Sequence, residues 1–279
     1  MRTALFTSAA LVCFAANSIL TRGALGHDLL DAATFTIIRL ATGAAMLALL
    51  LRGRRAPAGE RGTWTAALAL AAYAVAFTLA YTRIGAGVGA LLLFGAVQVT
   101  MIATGLIRGE RPLARDWLGL TMAAGGLLWL TVPGATAPDS WGAALMLIAG
   151  ASWGAYSIIG RGSRDPLAAT AGNFWRASLI GVVALGLLID PPSLTGRGVA
   201  LAATSGALAS GVGYTFWYHA LPALAAWRAA LVQLPVPILT ALAAIPMLGE
   251  TLTSRLLVAT ALVCGGVALG LLGTHLRRR

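Results

Sequence analysis

Residues 18–23, Ser-Ile-Leu-Thr-Arg-Gly, return 139 positions later as Ser157-Ile158-Ile159-Gly160-Arg161-Gly162. Outward from this pair the echoes continue in the same order. Phe35 to Arg39 is answered by Phe174-Trp175-Arg176, at an offset near 137, and Tyr81 by Tyr218 at 137. Gly109-Glu110 is answered by Gly249-Glu250 and Gly125-Gly126 by Gly265-Gly266, both at 140. Five matches in one order at nearly one offset make the chain two copies of one unit, residues 1–138 and 139–279.

Both copies are strongly apolar. Of 279 residues, 58% are hydrophobic and 10% charged, with a mean hydropathy of +0.83. A soluble domain carries about 25% charged residues, so this composition excludes a soluble globule. Helices need about 20 apolar residues to cross a bilayer. Ten such runs fall near 3–21, 32–51, 64–83, 86–107, 116–132, 140–160, 168–189, 199–220, 223–248 and 255–275. Their continuous apolarity excludes barrel strands, which alternate. The expected fold is all-α and integral to the membrane, with ten transmembrane helices. The first run imitates a signal peptide through Arg2, Ala15 and Ala16, but residues 11–23 recur later, which makes it mature structure.

Five spans per copy is an odd number, so the second copy enters the membrane inverted. Inverted repeats meet around a midplane site and exchange conformations, which is alternating access. Orientation follows from arginine, since all 20 basic residues are arginine and the chain has no lysine. With the N-terminus inside, thirteen arginines fall on cytoplasmic segments and four outside. The three others, Arg39, Arg176 and Arg228, lie within spans. The positive-inside rule then puts both termini in the cytoplasm, and the expected location is a bacterial inner membrane. The formal charge of +11 is dispersed between apolar runs, not gathered on the one face that a nucleic acid requires.

The five-span unit resembles the EamA repeat of the drug/metabolite transporter superfamily. The resemblance rests on an arginine in each second span (Arg39, Arg176) and a Gly-Glu closing each fourth (Glu110, Glu250). It also rests on glycine-rich fifth spans (Gly119, Gly125, Gly126; Gly265, Gly266, Gly270). Length, span count and an aromatic-rich centre look most like the aromatic amino acid exporter branch. The family often places a proline before the fourth-span Gly-Glu. Here the second copy has Pro235 and Pro237, whereas the first has Gln98 nearby.

Candidate substrate contacts are the polar and aromatic residues deep in the spans, which tend to face a cavity or another helix. They are Asn17; Tyr73, Phe77 and Tyr81, spaced i, i+4, i+8 on one helix face; Phe94 and Gln98; Trp153 and Tyr156; Tyr214, Trp217 and Tyr218; and Gln233. Aromatic walls with sparse amides suit an amphipathic small molecule. The competing readings are a lipid-facing belt for the rings and interhelical glue for the amides. Trp64, Trp117, Trp141 and Trp227, near span ends, fit the belt. Arg39 and Arg176 are read as architectural or gating residues bonded to carbonyls or snorkelling, against a role in attracting a carboxylate. Pro235 and Pro237 interrupt the ninth span, and Gly265 is a close contact or hinge. His219 is the one titratable histidine near a span interior.

No Asp or Glu lies in a span interior. The expected activity is therefore facilitated export of amphipathic metabolites, aromatic amino acids first, then Met and Thr. The alternative is an uptake or proton-antiport carrier of the same fold. An enzyme is disfavoured. The histidines at 27, 219 and 275 are dispersed, and Gly150 to Gly154 lacks the strand–turn–helix setting of a nucleophile elbow. Cys13 and Cys264 lie in apolar runs and build no metal set. No cofactor, metal or nucleic acid is expected as a partner, only the bilayer and a small-molecule substrate; a monomer suffices.

Overall fold

The computed structural model describes residues 2–52, 61–107, 114–131, 137–186, 194–224 and 235–275, with Ala229, Val232 and Gln233 before the last segment. Every regular element among the described residues is helical. They are α1 (Arg2–Leu25), α2 (Ala32–Leu50), α3 (Trp64–Tyr81), α4 (Ala86–Ile107), α5 (Ala114–Thr131), α6 (Ser140–Gly160), α7 (Pro166–Leu185), α8 (Gly196–Ala220), α9 (Pro235–Leu248) and α10 (Ser254–His275). Six of them, α1 to α4, α6 and α8, are long and apolar enough to cross a membrane. Shorter apolar stretches lie at Trp117–Leu130, Pro235–Leu248 and Ser254–Gly266. A 20-residue α7, carrying Thr170, Asn173 and Arg176, belongs to neither group.

The scarce acids and hydroxyls begin the helices. Asp31, Asp139 and Asp165 accept from the backbone N–H of Thr34, Gly142 and Ala168, at 2.8, 2.7 and 3.1 Å. Thr63, Thr195 and Thr253 do the same for α3, α8 and α10. A helix start leaves four N–H groups unpaired, and an oxygen at the cap satisfies one of them. Inside the helices, threonines such as Thr21, Thr78 and Thr100 donate to the carbonyl four residues back, at 2.8 Å each. Their hydroxyls are thus spent within their own helices.

Two local features break the regular pattern. Within α8, residues Ser205–Val212 form a π segment, whose i→i+5 bonding brings residues five apart onto one face. Gly249 sits at φ +67°, a conformation open to glycine and strained for other residues. It ends α9 with its N–H on the Ile245 carbonyl at 3.1 Å and turns Glu250 toward α4.

The packing is ordered. α3 lies on α6 and α7; α4 on α6 and α9; α2 on α7 and α8; α1 on α8 and α9; and α5 on α10. Close approaches fall on glycines. A Cβ at Gly206 would run into the Arg39 carbonyl, where α8 meets α2, and one at Gly126 would stand 3.0 Å from the Ala259 carbonyl of α10. Gly265 lies inside an uninterrupted α10, and a Cβ added there would meet Met122 Cε at 3.8 Å, an ordinary contact. Pro235 heads α9, the end at which a missing N–H costs nothing.

Candidate functional site

Five helices converge on a central void of about 10 Å³, lined by Phe14, Asn17, Ser18, Tyr73, Phe77, Leu93, Phe94, Trp153 and Tyr214. That is room for about one water molecule. Phe14 is the hub of the rings. It meets Trp153, Tyr214 and Trp217 edge-on at 5.4, 6.0 and 5.7 Å, and Phe94 at 6.5 Å. Trp153 stands 4.7 Å from Tyr214 and 5.3 Å from Tyr73. These are the separations at which ring quadrupoles attract. The Tyr73–Phe77–Tyr81 stripe is continuous, with centroids 5.3 and 4.7 Å apart.

A polar network runs along one wall. Asn17 Nδ2 donates to the Tyr73 hydroxyl at 3.1 Å, and Arg39 Nη2 donates to the same oxygen at 2.9 Å. Ser205 Oγ donates to Asn17 Oδ1 at 2.6 Å, and Arg39 Nε donates to Ser210 Oγ at 3.2 Å. Ser205 and Ser210 are five apart, and the π segment turns both toward α1 and α2. The Arg39 guanidinium lies 5.1 and 4.9 Å from the Tyr73 and Phe77 ring centres, within cation–π reach. On the opposite wall Trp153 Nε1 donates to Gln233 Oε1 at 3.2 Å, while Gln233 Nε2 donates to the Ala229 carbonyl at 2.9 Å.

Of the expected contacts, Asn17, Tyr73, Phe77, Phe94, Trp153 and Tyr214 border the void. Tyr156 and Trp217 are fully buried behind them. Gln98 is buried one turn beyond Phe94, and Gln233 sits behind Trp153. Tyr81 and Tyr218 lie at opposite ends. The Tyr81 hydroxyl donates to the Ala86 carbonyl and that of Tyr218 to the Tyr156 carbonyl, both at 3.4 Å. His219 is exposed, its Nδ1 2.7 Å from the Thr215 carbonyl. The repeat-related arginines part company. Arg39 is 1% exposed, whereas Arg176, midway along α7, is half-buried, with its guanidinium 5.5 Å from the Trp64 ring centre and donating to the Arg61 and Gly172 carbonyls at 2.6 and 3.0 Å. Glu110 lies outside the described residues.

Each end of the bundle has its own arrangement. At one end Arg22 Nη1 donates to the Tyr81 carbonyl at 2.9 Å and Nε lies 3.7 Å from Glu250. The Glu250 carboxylate accepts from the N–H of Ala86 at 2.7 Å and of Gly87 at 3.3 Å, a charge-assisted cap on α4. At the other end Arg161 Nη2 donates to the Leu224 carbonyl at 2.7 Å. Beside it opens a pocket of about 310 Å³, lined by Arg164, Asp165, Pro166, Leu167, Tyr218, His219 and Pro222. The Gly249-Glu250 pair therefore has a physical meaning: the glycine turns the chain and the glutamate caps a neighbouring helix.

Sequence reasoning missed Phe14, Ser205 and Ser210. Phe14 carried a signal, since it lies three and four residues from Asn17 and Ser18 and so shares their face. Ser205 and Ser210 carried none, because their shared direction exists only in a π turn.

The profile of the EamA-like transporter family matches residues 140–272. An uncharacterized protein of Pseudomonas aeruginosa, PA1977, is 52% identical over 269 residues, covering 96% of this chain and 94% of that one. A solved crystal structure of a protein superposes with a TM-score of 0.72 at 16% identity, over 97% of this chain and 96% of the other, and so shares its fold. Apolar helices of spanning length and the matched profile together place the chain: it is a multi-pass membrane protein whose second half, residues 140–272, carries an EamA-like transporter family domain of the drug/metabolite transporter superfamily.

Proposed function

We propose that the chain is an inner-membrane carrier that exports small amphipathic metabolites by alternating access between two inverted five-helix halves. Amino acids are the first class, aromatic ones ahead of Met and Thr. The observation that carries this reading is the central ring-lined void, closed around by helices from both halves. The matched profile is that of a transporter family, which supports the same reading.

The packing supports the repeat. Exchanging each helix with the one five places later turns α3-on-α6 into α8-on-α1 and α4-on-α6 into α9-on-α1. It also turns α2-on-α8 into α7-on-α3, and leaves α2-on-α7, α4-on-α9 and α5-on-α10 unchanged. A two-fold axis in the membrane plane has this effect. Ten spans with both termini in the cytoplasm fit the same arrangement. It puts Arg22, Arg83, Asp139 and Glu250 at one membrane surface, and Arg61, Arg161, Arg164 and Arg176 at the other.

Counterflow of radiolabelled phenylalanine in liposomes tests the function. Saturable exchange that ignores a pH gradient is the expected result. Exchange driven by the gradient would replace facilitated export with proton coupling. No exchange from folded protein would remove aromatic amino acids as the substrate.

A further inference from the structure

Among the described residues, Arg39 is a buried cation without a buried anion. It sits seven residues into α2, about 10 Å from the helix start, with 1% of its surface exposed. It donates to the Ser210 and Tyr73 hydroxyls, faces the rings of Tyr73 and Phe77, and has the Tyr214 hydroxyl in electrostatic reach. No ion pair reaches it among the described residues, and its Nη1 has no hydrogen-bond partner among them. Its repeat counterpart Arg176 shows the cheaper solution, a half-buried guanidinium bonded to two carbonyls. A charge inside a membrane protein is costly and marks a ligand or ion path.

The network aims this charge at the void. The Tyr73 oxygen accepts from both Arg39 and Asn17, so its own proton points away from both. Tyr73 and Asn17 border the void. Asn17 Nδ2 has a second hydrogen beyond the one given to Tyr73. Two donors thus meet at the void's edge, and a fixed positive charge one layer behind polarises them. The void's lining contains no carboxylate, so an ammonium group there would find hydroxyl and amide oxygens and ring faces but no countercharge, with the Arg39 cation one layer behind.

We infer that the central site recognises its ligand by a carboxylate, with Tyr73 and Asn17 as the contacts and Arg39 as the countercharge acting through Tyr73. The preferred ligand is an aromatic or amphipathic monocarboxylate, and an ammonium group is not required for its binding. The loaded site is then neutral. An inside-negative membrane potential drives such an anion outward without a proton, in keeping with span interiors that hold no acid. The void must widen to admit the ligand, as carrier sites do when a gate moves. The binding claim stands by itself; only the transport consequence rests on the carrier reading above.

The test compares three probes with one ring and different charge: 3-phenylpropionate, phenylalanine and phenethylamine. Thermal unfolding of the purified full chain in detergent reports binding. In the wild type, 3-phenylpropionate should stabilise at least as well as phenylalanine, and phenethylamine should not stabilise. Arg39→Gln should weaken the carboxylate response by about tenfold or more, the scale of a hydrogen bond to a charged group, and Arg39→Lys should restore part of it. If Arg39→Gln does not fold, Tyr73→Phe reads the same loss with the ring intact. Equal stabilisation by phenethylamine, an Arg39→Gln response equal to wild type, or no stabilisation by any probe overturns the inference. Counterflow of 3-phenylpropionate in liposomes is the second arm. Binding without exchange would leave the carboxylate site standing and bring down the carrier reading.

Discussion

Arg39 donates to the Tyr73 hydroxyl at 2.9 Å while its guanidinium stands 5.1 Å from the centre of the same ring. One side chain thus serves as both acceptor and cushion for a buried charge. Such an arrangement tolerates the cation but does not neutralise it, and isolated buried charge is seldom a source of stability. Arg39→Met should therefore leave the melting temperature in detergent unchanged or raise it by a few degrees while removing the response to carboxylates. A drop of about 5 °C or more, the scale of 1–2 kcal/mol in a domain of this size, would show that Arg39 is structural after all.

Glycine positions separate packing from propensity. Gly206→Ala sets a Cβ against the Arg39 carbonyl and should destabilise by roughly 1–3 kcal/mol, as overpacking does. Gly186→Ala, at φ −59° with nothing within 4 Å of the new Cβ, should be neutral or stabilising by up to about 1 kcal/mol. Thermal unfolding of the two variants side by side checks the contrast. Similar losses in both would contradict the close α2–α8 contact.

Glu250 joins Arg22 to the start of α4. Glu250→Ala leaves two N–H groups without their carboxylate. Amide exchange at Ala86 and Gly87 should accelerate by about tenfold, the loss of one charge-assisted cap. Exchange in the middle of α4 should stay unchanged. Unaltered exchange at both amides would mean that Glu250 does not close this end.

Trp153 combines two functions that substitution can divide. Trp153→Phe keeps a ring against Phe14, Tyr73 and Tyr214 but loses the N–H given to Gln233. It should retain measurable binding, weakened by about fivefold, the worth of one neutral hydrogen bond. Trp153→Ala opens the wall and should bind too weakly to saturate. Equal affinities for the two variants would take Trp153 off the wall of the site.

Much of the fold was legible because it follows from apolar length and helix capping. The α4 limits, 86–107, and the α6 limits, 140–160, are the same in the sequence reading and the structure. The Tyr73–Phe77–Tyr81 stripe was legible because i, i+4 spacing holds in any regular helix. In the ninth span the prolines read as an interruption, and Pro235 heads α9 after a turn at Gln233. Arg39 and Arg176 are equivalent in sequence and differ in environment, because burial depends on which helices surround them. That information lies in long-range packing, which spacing along the chain does not encode.

The π segment of α8 can be viewed mechanically, as a dislocation in an otherwise regular lattice of hydrogen bonds. Two pins hold it: Ser205 through Asn17 and Ser210 through Arg39. A ligand that draws either partner toward itself loosens a pin. Should the dislocation then migrate by one residue, each side chain it passes turns by about 100°, with both helix ends left in place. Tyr214 and Trp217 stand just beyond it, so the wall of the site is built on the segment of the helix best able to slip.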